Sequence, residues 1–399
     1  MKVILKNLSK YYAKWGVKRF FSYNSVKLKK MSTIFVFCLL CVFLVPKIES
    51  FHPKKIVDSI QDAVLSFGFG GGFPIEANGN KVDCKNFKTF GRDLIMVSDT
   101  SFICFNTNAK KIFDRPHGFT RPILKCSKNR ALIYDLSGSS FKIESRNKSI
   151  LASSFLENII CGNISDNGNY VFATESKDYL SDLMVFSEDS KEIFKHCFSD
   201  CFLNNVSLSK DGKLVAVSGL LAQEGALKSL IYVFDAEFGK LKTKVEYQDV
   251  LFLDLAFLNN SNVVAIGDNL TSVIRVFQNK QESYQYDQRP LTAFDINPQN
   301  GAVLSLSTRA DFAQCDIVSI NGDGKNQTIT QTELNATALS YNNNGTIALL
   351  GGEKLNVYSK YGKNIYSSSF ETNVKTIDMR SSRSMYILES NRASVLDFA

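Results

Sequence analysis

The sequence predicts an all-β protein of the β-propeller class, with a transmembrane helix ahead of the propeller. Three observations support this prediction. From about residue 75, short stretches of alternating polar and apolar residues are separated by turns rich in Asn, Asp and Gly. These stretches recur about every 40 residues, the length of a four-stranded blade. Near the N-terminus lies a long apolar run.

The internal period is clearest in the second strand of each repeating unit. These strands begin near Leu94, Ala131, Tyr170, Leu214, Val263, Ala302, Ile347 and Met385. The intervals between these starts range from 37 to 49 residues. The period predicts eight four-stranded blades of the WD40 or quinoprotein type. A seven-bladed ring with one irregular unit is the alternative.

The last unit predicts how the ring closes. It contains three strand-like stretches, at 374–379, 385–389 and 393–398, and shows no fourth. Residues 75–83 precede the first complete unit and are available to supply the missing strand. We therefore expect the two ends of the domain to share one blade, which removes the exposed strand edges of an open array.

The N-terminal region has the charge pattern of a membrane anchor. Residues 1–48 contain no Asp or Glu, and residues 1–30 contain nine Lys or Arg. Residues 31–48 are mostly apolar and nearly reach the roughly 20 residues that a membrane-spanning helix needs. Because positive charge stays on the cytoplasmic side, we expect the N-terminus inside and the C-terminal domain outside the cell. A cleaved signal peptide, or a true start at Met31, is the alternative.

These features predict four regions. Residues 1–30 are a basic cytoplasmic tail, 31–48 a transmembrane helix, 49–74 a stalk with a Gly-rich linker, and 75–399 the propeller. The tail has helical spacing of apolar residues beside lysines, which suits an anionic lipid surface; an unstructured tail is the alternative. Beyond residue 48 basic and acidic residues nearly balance, so the composition argues against nucleic acid as a partner.

The segment HGFTRPILKCSKNRALIYDLSGSSFKIESRNKSIL, residues 117–151, carries a family resemblance. It resembles an uncharacterised family of single-span, propeller-like proteins from clostridia and related Gram-positive bacteria. The likeness continues through 173–195 and 206–235 and covers most of residues 72–300. The resemblance implies a basic tail, one span and an outside propeller-like domain. It implies no activity, because this domain of unknown function has none assigned, and the present chain departs in its many cysteines.

No catalytic, cofactor-binding or metal-binding motif is found in the sequence. The three histidines, His52, His117 and His196, are far apart and lack zinc-ligand spacing. The propeller region has no tryptophan, whereas the blades of quinone-dependent dehydrogenases carry a docking tryptophan. Its seven cysteines are scattered, and we interpret them as core thiols. The spacing of Cys197 and Cys201 permits a disulfide without demanding one.

Segments that depart from regular blade turns are the candidate ligand-binding residues. They form one predicted recognition patch, because adjacent units bring such connections together. Its residues are His117, Phe119, Arg121, Glu175, Asp178 and Tyr179. Packing of Phe119 at a blade junction, with the charged residues simply solvated, is the alternative. Residues 223–228, read as a long polar connection in the fourth unit, extend the patch.

The sequence therefore predicts a binding or interaction module at the cell envelope, located in the cell membrane with its propeller outside. A protein or a cell-wall component is the expected partner, since propellers recognise ligands through their loops. Two alternatives stay open: a hydrolase acting on envelope polymer, and a transmembrane sensor or scaffold that signals through the basic tail.

Overall fold

The computed structural model describes residues 68–77, 81–223, 225–309, 311 and 313–398. Within these residues the chain forms 32 strands in eight antiparallel sheets of four strands each. The predicted tail and transmembrane helix lie outside the described residues, as does most of the predicted stalk. In the part of the chain that is described, no helix has the length and apolar character to cross a bilayer.

The first half of the ring follows a short entry strand and a 3-10 helix at Cys84–Asn86. The entry strand is β1 (Ile75–Glu76). Blade 1 is β2 (Phe87–Phe90), β3 (Asp93–Val97), β4 (Ser101–Phe105) and β5 (Lys111–Pro116). Blade 2 is β6 (Pro122–Cys126), β7 (Ala131–Asp135), β8 (Ser140–Glu144) and β9 (Ser149–Ser154). Blade 3 is β10 (Ile159–Ile164), β11 (Tyr170–Thr174), β12 (Ser181–Phe186) and β13 (Glu192–Phe198). Blade 4 is β14 (Phe202–Leu208), β15 (Leu214–Gln223), β16 (Ala226–Asp235) and β17 (Leu241–Gln248).

The second half repeats the pattern and interrupts it with one 3-10 turn at Val276–Gln278. Blade 5 is β18 (Phe252–Leu258), β19 (Asn262–Gly267), β20 (Leu270–Arg275) and β21 (Lys280–Gln285). Blade 6 is β22 (Leu291–Asn297), β23 (Gly301–Ser307), β24 (Cys315–Ile320) and β25 (Asn326–Thr332). Blade 7 is β26 (Ala338–Tyr341), β27 (Ile347–Gly351), β28 (Lys354–Tyr358) and β29 (Asn364–Ser369). Blade 8 is β30 (Val374–Ser381), β31 (Ser384–Glu389), β32 (Arg392–Asp397) and β1.

We name the strands of each blade A to D, from the central axis outward. The B strands are buried on both faces, as in β11 and β23, and their sequences are correspondingly apolar or small throughout. The D strands are the most exposed, as in β5 and β29. The A–B turns of blades 3 and 4 carry Gly168 and Gly212 at φ values of 97° and 70°, a conformation that glycine adopts without strain.

The apolar core of this propeller lies between blades. Each of the eight junctions has its own cluster of buried apolar side chains, for example Val171 and Leu183 of blade 3 against Val217 and Leu230 of blade 4. Because these clusters link every blade to the next, the described residues form a closed ring. The prediction of eight four-stranded blades is confirmed, and the seven-bladed alternative is wrong.

Blade 8 is shared by the two ends of the domain. Strand β1 pairs with β32, with Ile75 opposite Ala393 and Glu76 opposite Arg392. The Phe73 ring packs on Tyr386 with their centroids 5.6 Å apart. The predicted closure by the N-terminal segment is confirmed, although only two residues of that segment form the strand.

A second set of contacts joins the A strands around the channel. At five junctions, one A-strand side chain accepts a hydrogen bond from a backbone N–H of the next A strand. The acceptor and donor pairs are Asn163 with Leu208, Ser207 with Phe257, Asp295 with Tyr341, Ser340 with Met379, and Asp378 with Thr89. We refer to these five side chains as the inter-blade acceptors. The equivalent register positions at the other junctions are Lys88, Lys125 and Ala256, whose side chains have no acceptor to offer.

Candidate functional site

The antiparallel blades give the ring two different faces. The A–B and C–D connections meet at one face, and the B–C and D–A connections meet at the other. We refer to them as the A–B face and the B–C face. The predicted patch lies on the B–C face, because residues 117–121 are the D–A connection between blades 1 and 2, and residues 175–180 are the B–C connection of blade 3.

His117 holds the first of these connections in shape. The side chain is buried, and its Nε2 lies 2.9 Å from the carbonyl oxygen of Ser98. The Nδ1 atom accepts the backbone N–H of Phe119 at 3.0 Å. Burial lowers the pKa of His117, and a neutral ring protonated on Nε2 satisfies both contacts. Both ring nitrogens of His117 are therefore used in holding the loop in position.

Phe119 and Arg121 belong to the same loop but differ in burial. The Phe119 ring is buried in the cluster between blades 1 and 2, with the Lys142 ammonium 5.9 Å from its centroid. Arg121 is exposed, and its backbone N–H donates to the carboxylate of Asp135 at 2.7 Å. Of these residues in the patch, Arg121 presents its side chain to solvent and the other two support it.

The second part of the patch is on the surface. Glu175, Asp178 and Tyr179 are exposed. The Glu175 carboxylate accepts the side-chain amide of Asn158 at 2.8 Å, so the B–C connection of blade 3 is tied to the preceding D–A connection. Residues 155–158 separate this part from Arg121 along the face. The structure thus places the candidates on one face but in two separate areas.

Blade 4 extends beyond its neighbours on this face. Strands β15 and β16 pair through ten residue positions, up to Gln223 opposite Ala226, whereas β11 and β12 pair through five. The interpretation of residues 223–228 as a long polar connection is therefore wrong: they belong to a hairpin with a tight turn. A strand rises about 3.3 Å per residue, so the hairpin stands roughly 10 Å or more above the face.

Large apolar side chains are exposed next to this hairpin, and sequence reasoning missed most of them. We refer to five of these residues as the apolar cap: Leu156, Tyr179, Phe202, Leu227 and Leu253. They lie at the B–C face, from the connection before blade 3 to the start of blade 5. Leu156 is fully exposed and Phe202 is 58% exposed. The sequence feature that could have indicated these residues is an apolar residue within a predicted turn, as in SFLEN around Leu156.

Charged groups border the apolar cap. The Lys195 ammonium contacts Asp182 at 2.9 Å, and the hydroxyl of Tyr232 donates to Asp200 at 2.8 Å. Burial acts to raise the pKa of Asp182, but hydrogen bonds from Lys195 and Cys197 outweigh it and the pKa is lowered. Asp182 therefore stays ionised at neutral pH and paired with Lys195 beside the cap.

The channel side of the A strands carries a second group of charges. The nearby Asp378 carboxylate raises the pKa of Lys88, against the effect of burial. Burial raises the pKa of Asp295 to about 6, although Lys88 and the Tyr341 N–H act against it. Because Asp295 and Asp378 are inter-blade acceptors, these carboxylates already serve the fold. In the sequence, each of these carboxylates could have been recognised as a single charged residue within an otherwise regular inner strand.

The described cysteines are free thiols: Cys84, Cys104, Cys126, Cys161, Cys197, Cys201 and Cys315. Cys197 and Cys201 are therefore not joined in this structure, and Cys201 is buried.

Over the described ranges, no group of three or more His, Cys, Asp or Glu side chains is arranged to hold a metal ion. The B–C face thus carries exposed apolar side chains with charged groups beside them.

The ring of eight antiparallel sheets and its loop-built faces define a β-propeller protein. Its blades are irregular in sequence, and the two ends of the domain meet in one sheet. The chain belongs to a family of unknown function, DUF5711, whose model matches residues 75–396.

A solved structure supports the class of fold. The chain is similar to the β-propeller domain of Cps50 (Swd1) from Myceliophteria thermophila, at 9% identity and a TM-score of 0.50. The match covers 82% of this chain and 99% of that one. At this identity the likeness shows the fold alone. No curated protein matches the sequence.

Proposed function

We propose that this protein is a membrane-anchored interaction module whose propeller binds a protein partner outside the cell. The observation that carries the proposal is the apolar cap. A run of exposed Leu, Phe and Tyr side chains on neighbouring blades, with charged groups beside it, is typical of protein contact surfaces. A propeller supplies the rigid platform that such a surface needs, while its fold does not specify the partner.

The projecting hairpin of blade 4 supports the same surface. Leu227 lies near its tip and is 37% exposed, and its carbonyl oxygen accepts the N–H of Asp249. Phe202 and Leu253 begin the A strands of blades 4 and 5, at the foot of the hairpin. Large side chains that are held by strand pairing lose little entropy on binding, which favours them as anchors.

The membrane and envelope parts of the proposal rest on the sequence. The basic residues of 1–30 and the apolar run of 31–48 support a single span with the N-terminus inside and the propeller outside. The tail would then contact anionic lipid on the cytoplasmic leaflet. Protease added to intact, wall-stripped cells should degrade the propeller and spare the tail. A protected propeller would exclude an outside partner.

The binding surface is tested by a triple variant, Tyr179→Ala with Phe202→Ala and Leu227→Ala. Crosslinking in intact cells, followed by purification of the full chain, should recover partner from the parent protein and at least about tenfold less from the variant, as expected when anchor residues are removed. The matched control is Phe238→Ala with Phe277→Ala and Tyr361→Ala. These three side chains are at least as exposed, but they lie in C–D connections on the A–B face.

Three results decide the test. Loss in the first triple variant, with capture retained in the control, supports the B–C face. Equal capture by both variants, at unchanged melting temperature, removes the apolar cap from consideration. Equal loss in both would indicate non-specific adhesion through exposed apolar residues.

A further inference from the structure

The junction of blades 8 and 1 has a groove on the A–B face, away from the apolar cap. Its volume is about 880 Å³, and three arginines line it: Arg92, Arg380 and Arg383. Arg92 belongs to the A–B turn of blade 1, Arg383 belongs to the A–B turn of blade 8, and Arg380 belongs to β30. Ring closure is what brings these residues together.

Arg380 is held in place at the back of the groove. Its Nε donates to the hydroxyl of Ser384 at 2.8 Å, and one Nη lies 3.5 Å from the Asp397 carboxylate. The guanidinium carbon is 5.4 Å from the centroid of the Tyr386 ring. The Tyr386 hydroxyl in turn donates to the carbonyl oxygen of Arg92 at 2.6 Å. The groove is therefore braced across the blade junction before any ligand arrives.

The other two arginines are available to a ligand. Arg92 and Arg383 are exposed, and among the described residues no ion pair involves either side chain. Asp397 supplies the groove's carboxylate, and its side chain is 70% exposed. Three guanidinium groups against one solvated carboxylate make the groove a positive site.

A smaller hollow continues the groove toward the channel mouth. It has a volume of about 310 Å³ and shares Arg380 and Ser381 with the groove. Asn342, Asn343 and Asn344 line it. The side-chain oxygens of Asn342 and Asn343 accept hydrogen bonds within the protein, so the hollow adds polar groups without further charge. The combined surface suits an elongated ligand that has anionic groups at one end and neutral polar groups at the other.

We propose that the groove between blades 8 and 1 binds a multivalent oxyanion, a ligand with two or more carboxylate or phosphate groups. Guanidinium groups bind both through paired N–H donors. A ligand with two anionic groups can contact Arg92 in the turn of blade 1 and Arg383 in the turn of blade 8 at the same time. This site does not depend on the B–C face or on a protein partner.

Titration calorimetry of the full chain tests the site, with tripolyphosphate and citrate as probes. Comparing the two probes shows whether the groove prefers tetrahedral phosphate or planar carboxylate groups. At about 50 mM salt, where screening is moderate, we expect one probe to bind at one site per chain with a Kd below about 1 mM. Arg92→Ala with Arg383→Ala should weaken that binding at least about tenfold. Arg92→Lys with Arg383→Lys keeps the positive charge but loses the paired N–H donors of the guanidinium group. Its Kd should lie between those of the parent and the alanine pair.

The control removes the same charge from the other face. Arg121→Ala with Lys177→Ala replaces two exposed cations of the B–C face and should leave the Kd within about twofold, because the charges are distant and screened. If neither probe binds, the proposal is wrong. It is also wrong if both alanine pairs weaken binding equally, since that result shows non-specific attraction to net positive charge. Should the groove alanine pair fold poorly, Arg92→Gln with Arg383→Gln gives the same comparison.

Discussion

The backbone N–H of Tyr341 donates to the Asp295 carboxylate across the junction of blades 6 and 7, at 2.8 Å. The same relationship recurs at four other junctions, with Asn163, Ser207, Ser340 or Asp378 as the acceptor. Adjacent A strands splay apart in a propeller and cannot share a full ladder of hydrogen bonds. At these five junctions one polar side chain satisfies a backbone N–H of the next A strand.

Removing an inter-blade acceptor should destabilise the ring. Ser340→Ala leaves the Met379 N–H, now bonded at 3.0 Å, without its acceptor. We expect a loss of about 1–3 kcal/mol in the free energy of unfolding, measured by urea denaturation. Ser369→Ala, at an exposed position of outer strand β29, is the control and should stay within about 0.5 kcal/mol. Equal stability of the two variants would show that this hydrogen bond contributes nothing.

Stability should fall as pH rises through the titration of Asp295. Burial raises its pKa from 3.8 to about 6 in the folded protein, so the folded state keeps a proton that the unfolded chain has lost. The stabilisation is full below about pH 4 and lost by about pH 6. The shift corresponds to roughly 3 kcal/mol, which channel water should reduce to about 1–2 kcal/mol.

Asp295→Asn cannot ionise and tests this dependence. Its free energy of unfolding should vary less than that of the parent between about pH 4 and 7, whatever its absolute stability. Asp323→Asn, in an exposed turn, should keep the slope of the parent. Parallel curves for the parent and Asp295→Asn would assign the pH dependence to other groups.

The closing segment should be essential for a monomeric fold. Deleting residues 73–83 removes β1 from the edge of β32 and takes Val82 out of the cluster between blades 8 and 1. The exposed edge should promote association, and the lost burial should cost several kcal/mol, as for large core truncations. Light scattering and thermal melting measure both effects. Phe69→Ala, which alters a side chain that is 92% exposed, is the control. A deletion variant that stays monomeric with an unchanged melting temperature would contradict the closure.

The buried thiols Cys104 and Cys201 should resist modification until the ring unfolds. Burial raises the pKa of Cys104 and Cys201, which lowers the thiolate fraction that reacts. In native protein at pH 8 we expect Cys197, which is only half-buried, to be alkylated faster than Cys201. Mass spectrometry of a non-reduced digest provides the measurement. A peptide containing a Cys197–Cys201 disulfide would contradict it.

The strand plan was predictable because each signal is local. The B strands are buried on both faces, so apolar stretches mark them, and the starts expected near Ala131 and Ile347 are where β7 and β27 begin. The tight turns at Gly168 and Gly212 were also predictable, because the dipeptides Asn-Gly and Asp-Gly favour tight turns through their own backbone preferences.

The candidate sites were harder to predict because they depend on distant neighbours. His117 resembles a loop ligand in the sequence, but its partners Ser98 and Phe119 make it part of the loop's own structure. Arg92 and Arg383 lie near opposite ends of the domain, and nothing in either local sequence indicates that the two turns meet. Only the closed ring shows that they line one groove.

The two-residue strand β1 also determines how the domain responds to mechanical force. A pull on the chain ahead of Gly68 first reaches the hydrogen bonds of Gly68 and Gly70 with the C–D connection of blade 1. It then reaches the pairing of Ile75 and Glu76 with β32. Behind that pairing, the Lys375 ammonium contacts the carbonyl oxygen of Val82 at 3.3 Å and resists further peeling. Tension applied from the N-terminal side therefore loads the junction of blades 8 and 1 before any other, and this is the junction that forms the arginine groove.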